Sequence, residues 1–455
     1  MVVFFPSKHF EIYEWQRAAT AQTRVPLRQS EWDFFVALLF IGDLIRFYLF
    51  LTKRTSATAV LNEFTIGNVS SIIWTGIAGS YLAYILLIGR CRAGLFFTAS
   101  YLSISVLILV FLLSSAWSIV PTFSLYRSLE LVVWAGLSIY FFTRLRSLIN
   151  KVTFLAVYCV IWVLLNIPIF FEAISHKIVF SAIKDNFLST VGFSVLVLGW
   201  KTRLRYLFCF IGSATIVFAG SAASTASAVA ACSVGLILSR NIIFKLVGCV
   251  GFFASLFFIV VYLVAPEQFP GTVEFLSGIL QKPKEELLSA TGRYTIWSIL
   301  WTLAKDNYFG TGFGTDRFMQ LIGNMDEVAD RLGTKDIFVM SAHNAGLAAW
   351  LSAGWLGVVA LFFVFLNGIR FSLKSGADHR VPTTMVLTFI IVNNLTIPGL
   401  GGNYSCVWLG WIAVLSILDR HGLNSTRPNQ AGFSMIQTPS TPRHKASMMS
   451  PISRT

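Results

Sequence analysis

Two side chains late in the chain could act on a phosphorylated substrate. Arg293 stands in Thr291-Gly292-Arg293-Tyr294-Thr295-Ile296-Trp297, and Ile296, Ile299, Leu300 and Leu303 recur at i, i+3, i+4 and i+7. That period predicts an amphipathic helix with Arg293 in its first turn. A helix start joined to a guanidinium can hold phosphate oxygens. The plainer alternative is an interfacial helix with a solvated arginine. His343 stands beside Asn344 at the mouth of an apolar run, where an imidazole could accept a proton. A lone histidine is more often structural. Between them, Gly310-Thr311-Gly312-Phe313-Gly314-Thr315 lacks the Gly-Lys-Ser/Thr ending of a phosphate-cradling loop, and no strand pattern precedes it. A close-packed turn is the expectation there.

These motifs share one long polar stretch, residues 266–343, in an otherwise apolar chain. Ten of the 21 acidic residues lie in it, against seven of the 35 lysines and arginines. The stretch is therefore net acidic while the remainder is strongly basic. In a membrane protein the cationic segments stay in the cytoplasm, so an acidic loop reads as exported. Long loops also tend to carry function.

The elements that must position this loop are apolar helices. The chain is 455 residues, 55% hydrophobic and 12% charged, well below the roughly 25% charge of soluble domains. Twelve apolar runs follow one another, at about 33–51, 70–89, 94–113, 127–143, 152–171, 187–200, 205–220, 224–239, 242–265, 345–369, 382–399 and 404–419. The expected fold is all-α: a polytopic inner-membrane bundle of about 12 transmembrane helices with one large periplasmic loop containing helices. Its parts are a cytoplasmic N-terminal segment (1–31), helices one to nine (32–265), the periplasmic catalytic loop (266–343), helices ten to twelve (344–420) and a disordered cytoplasmic tail (421–455).

Charge sets the orientation. Alternate short loops carry Arg90/Arg92, Arg144/Arg146/Lys151, Lys201/Arg203/Arg205, Arg240/Lys245 and Arg370/Lys374/Arg380, whereas 114–126, 221–223 and 400–403 carry no lysine or arginine. Both termini are expected in the cytoplasm. The +14 net charge follows membrane orientation, and no nucleic-acid motif is present. The six cysteines fall in or beside apolar runs, which suggests neither a disulfide framework nor a zinc site. Asp43 and Arg46, three apart in the first run, read as a self-neutralised structural pair.

Outside the loop, Trp117-Ser118, Pro121 and Arg127 form an outer turn: an interfacial tryptophan, a turn-setting proline and a cation at the surface of the next helix. An aromatic belt with a snorkelling arginine explains them equally well. With Gly-Arg-Tyr-x-x-Trp, Gly-x-Gly-x-Gly and Ala-His-Asn in that order, the chain resembles the O-antigen ligase and polysaccharide polymerase superfamily of bacterial envelopes. The likeness covers about residues 94–418. Lys184-Asp185-Asn186 resembles a lysine-asparagine element of that family. Two positions depart from its pattern. Thr225 stands where relatives carry a cation, and Ile397-Pro398 follow Thr396 where relatives often have an acid.

The resemblance implies a glycosyltransferase that takes a glycan from undecaprenyl pyrophosphate on the outer leaflet, with that lipid-linked oligosaccharide and membrane lipids as partners. A chain-length regulator and a flippase are further candidate partners; no nucleic acid is. The early outer loops offer only Glu63, Glu172 and Asp185, with no close acidic pair, so neither a metal nor another cofactor is expected. Arginines are left to neutralise the departing pyrophosphate. The assignment is Arg293 as the main clamp, Arg127 and Lys184 as supports, Asn344 as a further substrate contact and His343 as catalytic base, giving transfer with inversion. Polymerisation of repeat units into exopolysaccharide, capsule or O-antigen is favoured over ligation to lipid A core. A transporter or flippase of lipid-linked sugars would also have about twelve spans, but it favours repeat symmetry and broken helices, and neither is evident in the sequence. A membrane O-acyltransferase is a weaker third reading.

Overall fold

The computed structural model describes residues 30–39, 66–145, 147–167, 186–219, 222–264, 274, 297, 300–302, 305–315, 342–402 and 405–425. Most of these residues are helical, and no strand is found among them. The helices are α1 (30–39), α2 (Ile66–Leu87), α3 (Leu102–Ser114), α4 (Pro121–Arg144), α5 (Leu148–Leu165), α6 (Asn186–Gly199), α7 (Arg205–Ala219), α8 (Ala222–Ile237), α9 (Ile242–Val264), α10 (Ala345–Lys374), α11 (Ala377–Asn393) and α12 (Cys406–Ser425). Each falls on one of the twelve apolar runs. Among the described residues, α4, α5 and α10 are long and apolar enough to cross a membrane, and seven shorter apolar helices accompany them. The Asp43–Arg46 pair lies outside the described residues.

Hydrogen bonds gather the helix ends into two layers. At one end Arg144 donates to the Arg90 carbonyl and Arg90 pairs with Glu31. Ser100 Oγ donates to Asp419 (2.7 Å), and Asn367 Nδ2 donates to Ser103 Oγ (3.0 Å), which brings the C-terminal half of α10 to this end. At the opposite end the Phe313 N–H donates to Ser114 Oγ (3.0 Å), the Ala345 N–H to the Asn394 carbonyl (2.9 Å), and Asn393 Nδ2 to Thr190 Oγ1 (3.1 Å). The polar motifs thus collect at the end away from Arg90 and Arg144.

Two helix starts differ from the apolar runs, with consequences for charged residues. Pro121 occupies the first turn of α4, where its fixed φ suits a helix start and its missing N–H costs nothing. The helix therefore begins six residues before the run at 127–143. Arg127 sits in its second turn, with only 17% of its side chain exposed, rather than at the surface. Ser147 caps α5 by accepting from the Asn150 N–H (3.1 Å), which draws Lys151 into the first turn. Its ammonium is buried and donates to the Ser416 carbonyl (2.8 Å) and Oγ (2.7 Å), so Lys151 ties α5 to α12 instead of lying in a solvated loop.

Candidate functional site

α10 organises the polar end. Asn344 is its N-cap: Oδ1 accepts from the Leu347 N–H (2.9 Å), and Nδ2 donates to the Leu395 carbonyl (3.0 Å). His343, just before the cap, has φ 45° and is the one non-glycine residue with positive φ among those described. A side chain pays for that conformation, and such outliers gather at functional sites. The backbone on both sides is pinned. The Ala342 carbonyl accepts from Trp297 Nε1 (2.8 Å), and the Ala345 N–H reaches Asn394. Asn394 Oδ1 in turn accepts from the Leu400 N–H (2.8 Å), and Gly399, at φ 35°, closes tightly on that side chain.

The contact at Ala342 joins two of the motifs. Trp297 ends Gly-Arg-Tyr-x-x-Trp, and it is bonded to the residue that precedes His343. Leu300, one turn further on, is buried with Ala342, Ala348 and Leu351, and Trp301 meets Trp350 at 5.6 Å between ring centroids. Leu300 and Trp301 thus lie against α10, while Trp297 packs on Ala226 and Ala230 of α8 and Val392 of α11. Arg293 itself lies outside the described residues, as does Lys184.

The glycine-rich stretch is the expected close-packed turn, and it does more than turn. α10 breaks at Ala353 and Gly354, where the dihedrals leave the helical region. The break frees backbone groups that the turn takes up. The Thr311 N–H donates to the Leu351 carbonyl (2.6 Å), the Gly312 N–H to the Ser352 carbonyl (3.0 Å), and the Trp355 N–H to the Tyr308 carbonyl (3.1 Å). Backbone groups freed by such a break are tolerated in a buried helix when neighbouring protein groups pair with them in this way. On its other side the turn meets the segment just before α4. The Ile119 N–H donates to the Thr311 carbonyl (3.0 Å), Trp117 Nε1 to the Phe309 carbonyl (2.7 Å), and Phe313 stacks on Phe111 at 4.5 Å. A Cβ on Gly312 would lie 2.1 Å from Ser118 Oγ, and its φ is 105°. The broken helix, a feature the sequence reading assigned to transporters, thus serves here as the dock for the loop.

Arg127 is on the same side of the bundle, one turn after Ser124, which bonds Ser118 (2.7 Å) beneath Gly312. Its Nη1 donates to Glu130 Oε2 at 2.7 Å, and its guanidinium carbon lies 5.2 Å from the Phe123 ring centroid and 5.6 Å from that of Tyr126. Glu130 is a residue that sequence reasoning passed over. It sits inside an apolar run, and only its i, i+3 spacing to Arg127 could have flagged it. Thr225 is exposed on α8, next to Ser224, whose Oγ lies 2.7 Å from that of Ser189. No cation stands at that position.

The fold and this end of it define an apolar helical protein whose loop is docked into a broken helix, with a strained histidine at the helix mouth. A family model described as O-antigen ligase matches residues 207–362. That segment runs from α7 through the whole loop, His343, Asn344 and the Gly354 break; Arg127 and Lys184 precede it. The match supports the O-antigen ligase and polymerase superfamily for this chain, and with the apolar helices it marks a membrane protein. No curated protein matches the chain.

Proposed function

We propose that the chain is a glycosyltransferase of the bacterial inner membrane that polymerises undecaprenyl-pyrophosphate-linked repeat units on the periplasmic side. The observation that carries this is the bond from Trp297, the last residue of Gly-Arg-Tyr-x-x-Trp, to Ala342, the residue before His343, inside the segment that the O-antigen ligase family model matches. In this reading Arg293, one helical turn before Trp297 in the sequence, neutralises the departing pyrophosphate as its charge develops. His343 removes the proton of the attacking sugar hydroxyl, and the anomeric centre inverts. Arg127 and Lys184 assist with the donor. Asn344, whose side-chain oxygen and nitrogen both serve the fold, contributes chiefly by seating His343. Neither a metal nor another cofactor has a part.

The test is the surface-glycan profile of a deletion strain. Loss of long chains with one repeat unit retained is the expected result. Intact long chains that are no longer attached to lipid A core would instead make the protein a ligase. That second reading is favoured by the description of the family model, which is that of a ligase.

Orientation is tested separately. Arg203 and Lys305 are both exposed, Arg203 among the short basic loops and Lys305 in the acidic stretch. In a background without native thiols, Arg203→Cys should escape an impermeant thiol reagent in intact spheroplasts, and Lys305→Cys should react. The reverse pattern would place the proposed site on the wrong side of the membrane.

A further inference from the structure

Arg127 is held in an unusual way for a residue expected to grip an anion. Its partner Glu130 is 3% exposed, the Nη1–Oε2 distance is 2.7 Å, and Nε is buried with no hydrogen-bond partner among the described residues. The aromatic rings of Phe123 and Tyr126 lie beside the guanidinium. With 17% of its side chain exposed, Arg127 still meets its surroundings along a limited edge. A lone guanidinium at this depth would be poorly solvated, and a carboxylate one turn away offsets its charge and restricts its rotamers. A diphosphate bound at Arg127 would share that guanidinium with the carboxylate already bonded to it.

We propose that Glu130 is a positioning residue that both aims Arg127 and limits how tightly it holds a polyprenyl diphosphate. The inference rests on the reading of Arg127 as a donor contact. Fixing Nη1 on Glu130 presents the remaining edge of the guanidinium in one orientation. Repulsion between the carboxylate and the bound diphosphate weakens the complex and speeds release of the spent carrier. The sequence presents Arg127 as a separate positive charge; the structure pairs it with Glu130.

The experiment compares Glu130→Gln, Glu130→Asp and the apolar pair Arg127→Leu/Glu130→Leu in the full-length purified protein. Each is first checked for normal insertion and thermal unfolding. Binding of undecaprenyl diphosphate in detergent and steady-state transfer are then measured. Glu130→Gln keeps the shape and a hydrogen-bond acceptor but removes the negative charge, so binding should tighten by on the order of tenfold. KM should fall, and kcat should fall with it as release slows. Glu130→Asp should lie near wild type in affinity. The apolar pair should fold, since a buried ion pair can be exchanged for apolar side chains, but should bind the diphosphate at least about tenfold more weakly. A purely structural pair would give unchanged binding in both Glu130→Gln and the apolar pair, and that result overturns the proposal. Weaker binding in a folded Glu130→Gln also overturns it. If Glu130→Gln fails to fold, the apolar pair decides, and wild-type affinity there sinks the idea. Absence of any diphosphate binding by the wild-type protein would instead defeat the functional reading itself, and this inference with it.

Discussion

Replacing Gly354 by alanine should undock the loop and reduce transfer by more than about 100-fold while the helices still insert. Gly354 has φ 60° and ψ −146°, close to a region that essentially only glycine occupies. A Cβ built there falls 1.8 Å from the Tyr308 carbonyl oxygen, which accepts from the Trp355 N–H. Backbone strain of about 1–3 kcal/mol adds to the loss of hydrogen bonds worth about 0.5–1.5 kcal/mol each. The sum is about 3–5 kcal/mol, enough to shift the docked state by two decades or more, at about 1.4 kcal/mol per decade. Limited proteolysis around 305–315 reads the docking, and transfer assays read its consequence. Gly76 is the control: nothing lies within 4 Å of its added Cβ, so Gly76→Ala should be neutral. Activity within twofold of wild type in Gly354→Ala would mean that docking is not needed for the reaction.

His343→Gly should abolish transfer by about 10²–10⁴-fold and leave donor binding close to wild type. Glycine is chosen because the native φ of 45° suits it, so any penalty from a strained turn is relieved rather than added. A histidine with only a structural part at the helix mouth would leave the glycine variant active. Arg293→Lys is expected to show the complementary pattern. The charge remains, but the bidentate fork is lost, and donor binding weakens along with a drop of roughly 30- to 1000-fold in rate, about 2–4 kcal/mol. Both variants are assayed in excess chelator, where the wild-type enzyme should stay active. Full polymer synthesis by His343→Gly would remove the centre of the proposed site.

Sequence by itself determined which segments are helical. The described helices fell on the apolar runs, because a helix satisfies the backbone of an apolar segment within the segment itself. The acidic stretch was legible from charge alone, and the role of Gly310–Thr315 as a tight turn was legible from glycine spacing. Helix starts were less legible. Pro121 and Ser147 begin α4 and α5 outside the apolar runs, since capping and φ preference, not hydropathy, decide where a helix starts.

What only the tertiary structure decided are the contacts between segments far apart in the chain. The Trp297 indole reaches Ala342 across 45 residues, and Phe313 reaches Ser114 across 199. The break at Gly354 gives no hydropathy signal, because Ala353-Gly354 reads as ordinary small residues within an apolar helix. Its meaning appears only when Tyr308, Thr311 and Gly312 fill the hydrogen bonds it opens. Periodicity and composition report how a segment meets its solvent. They carry no record of which distant backbone groups complete one another, and the candidate site is built from those.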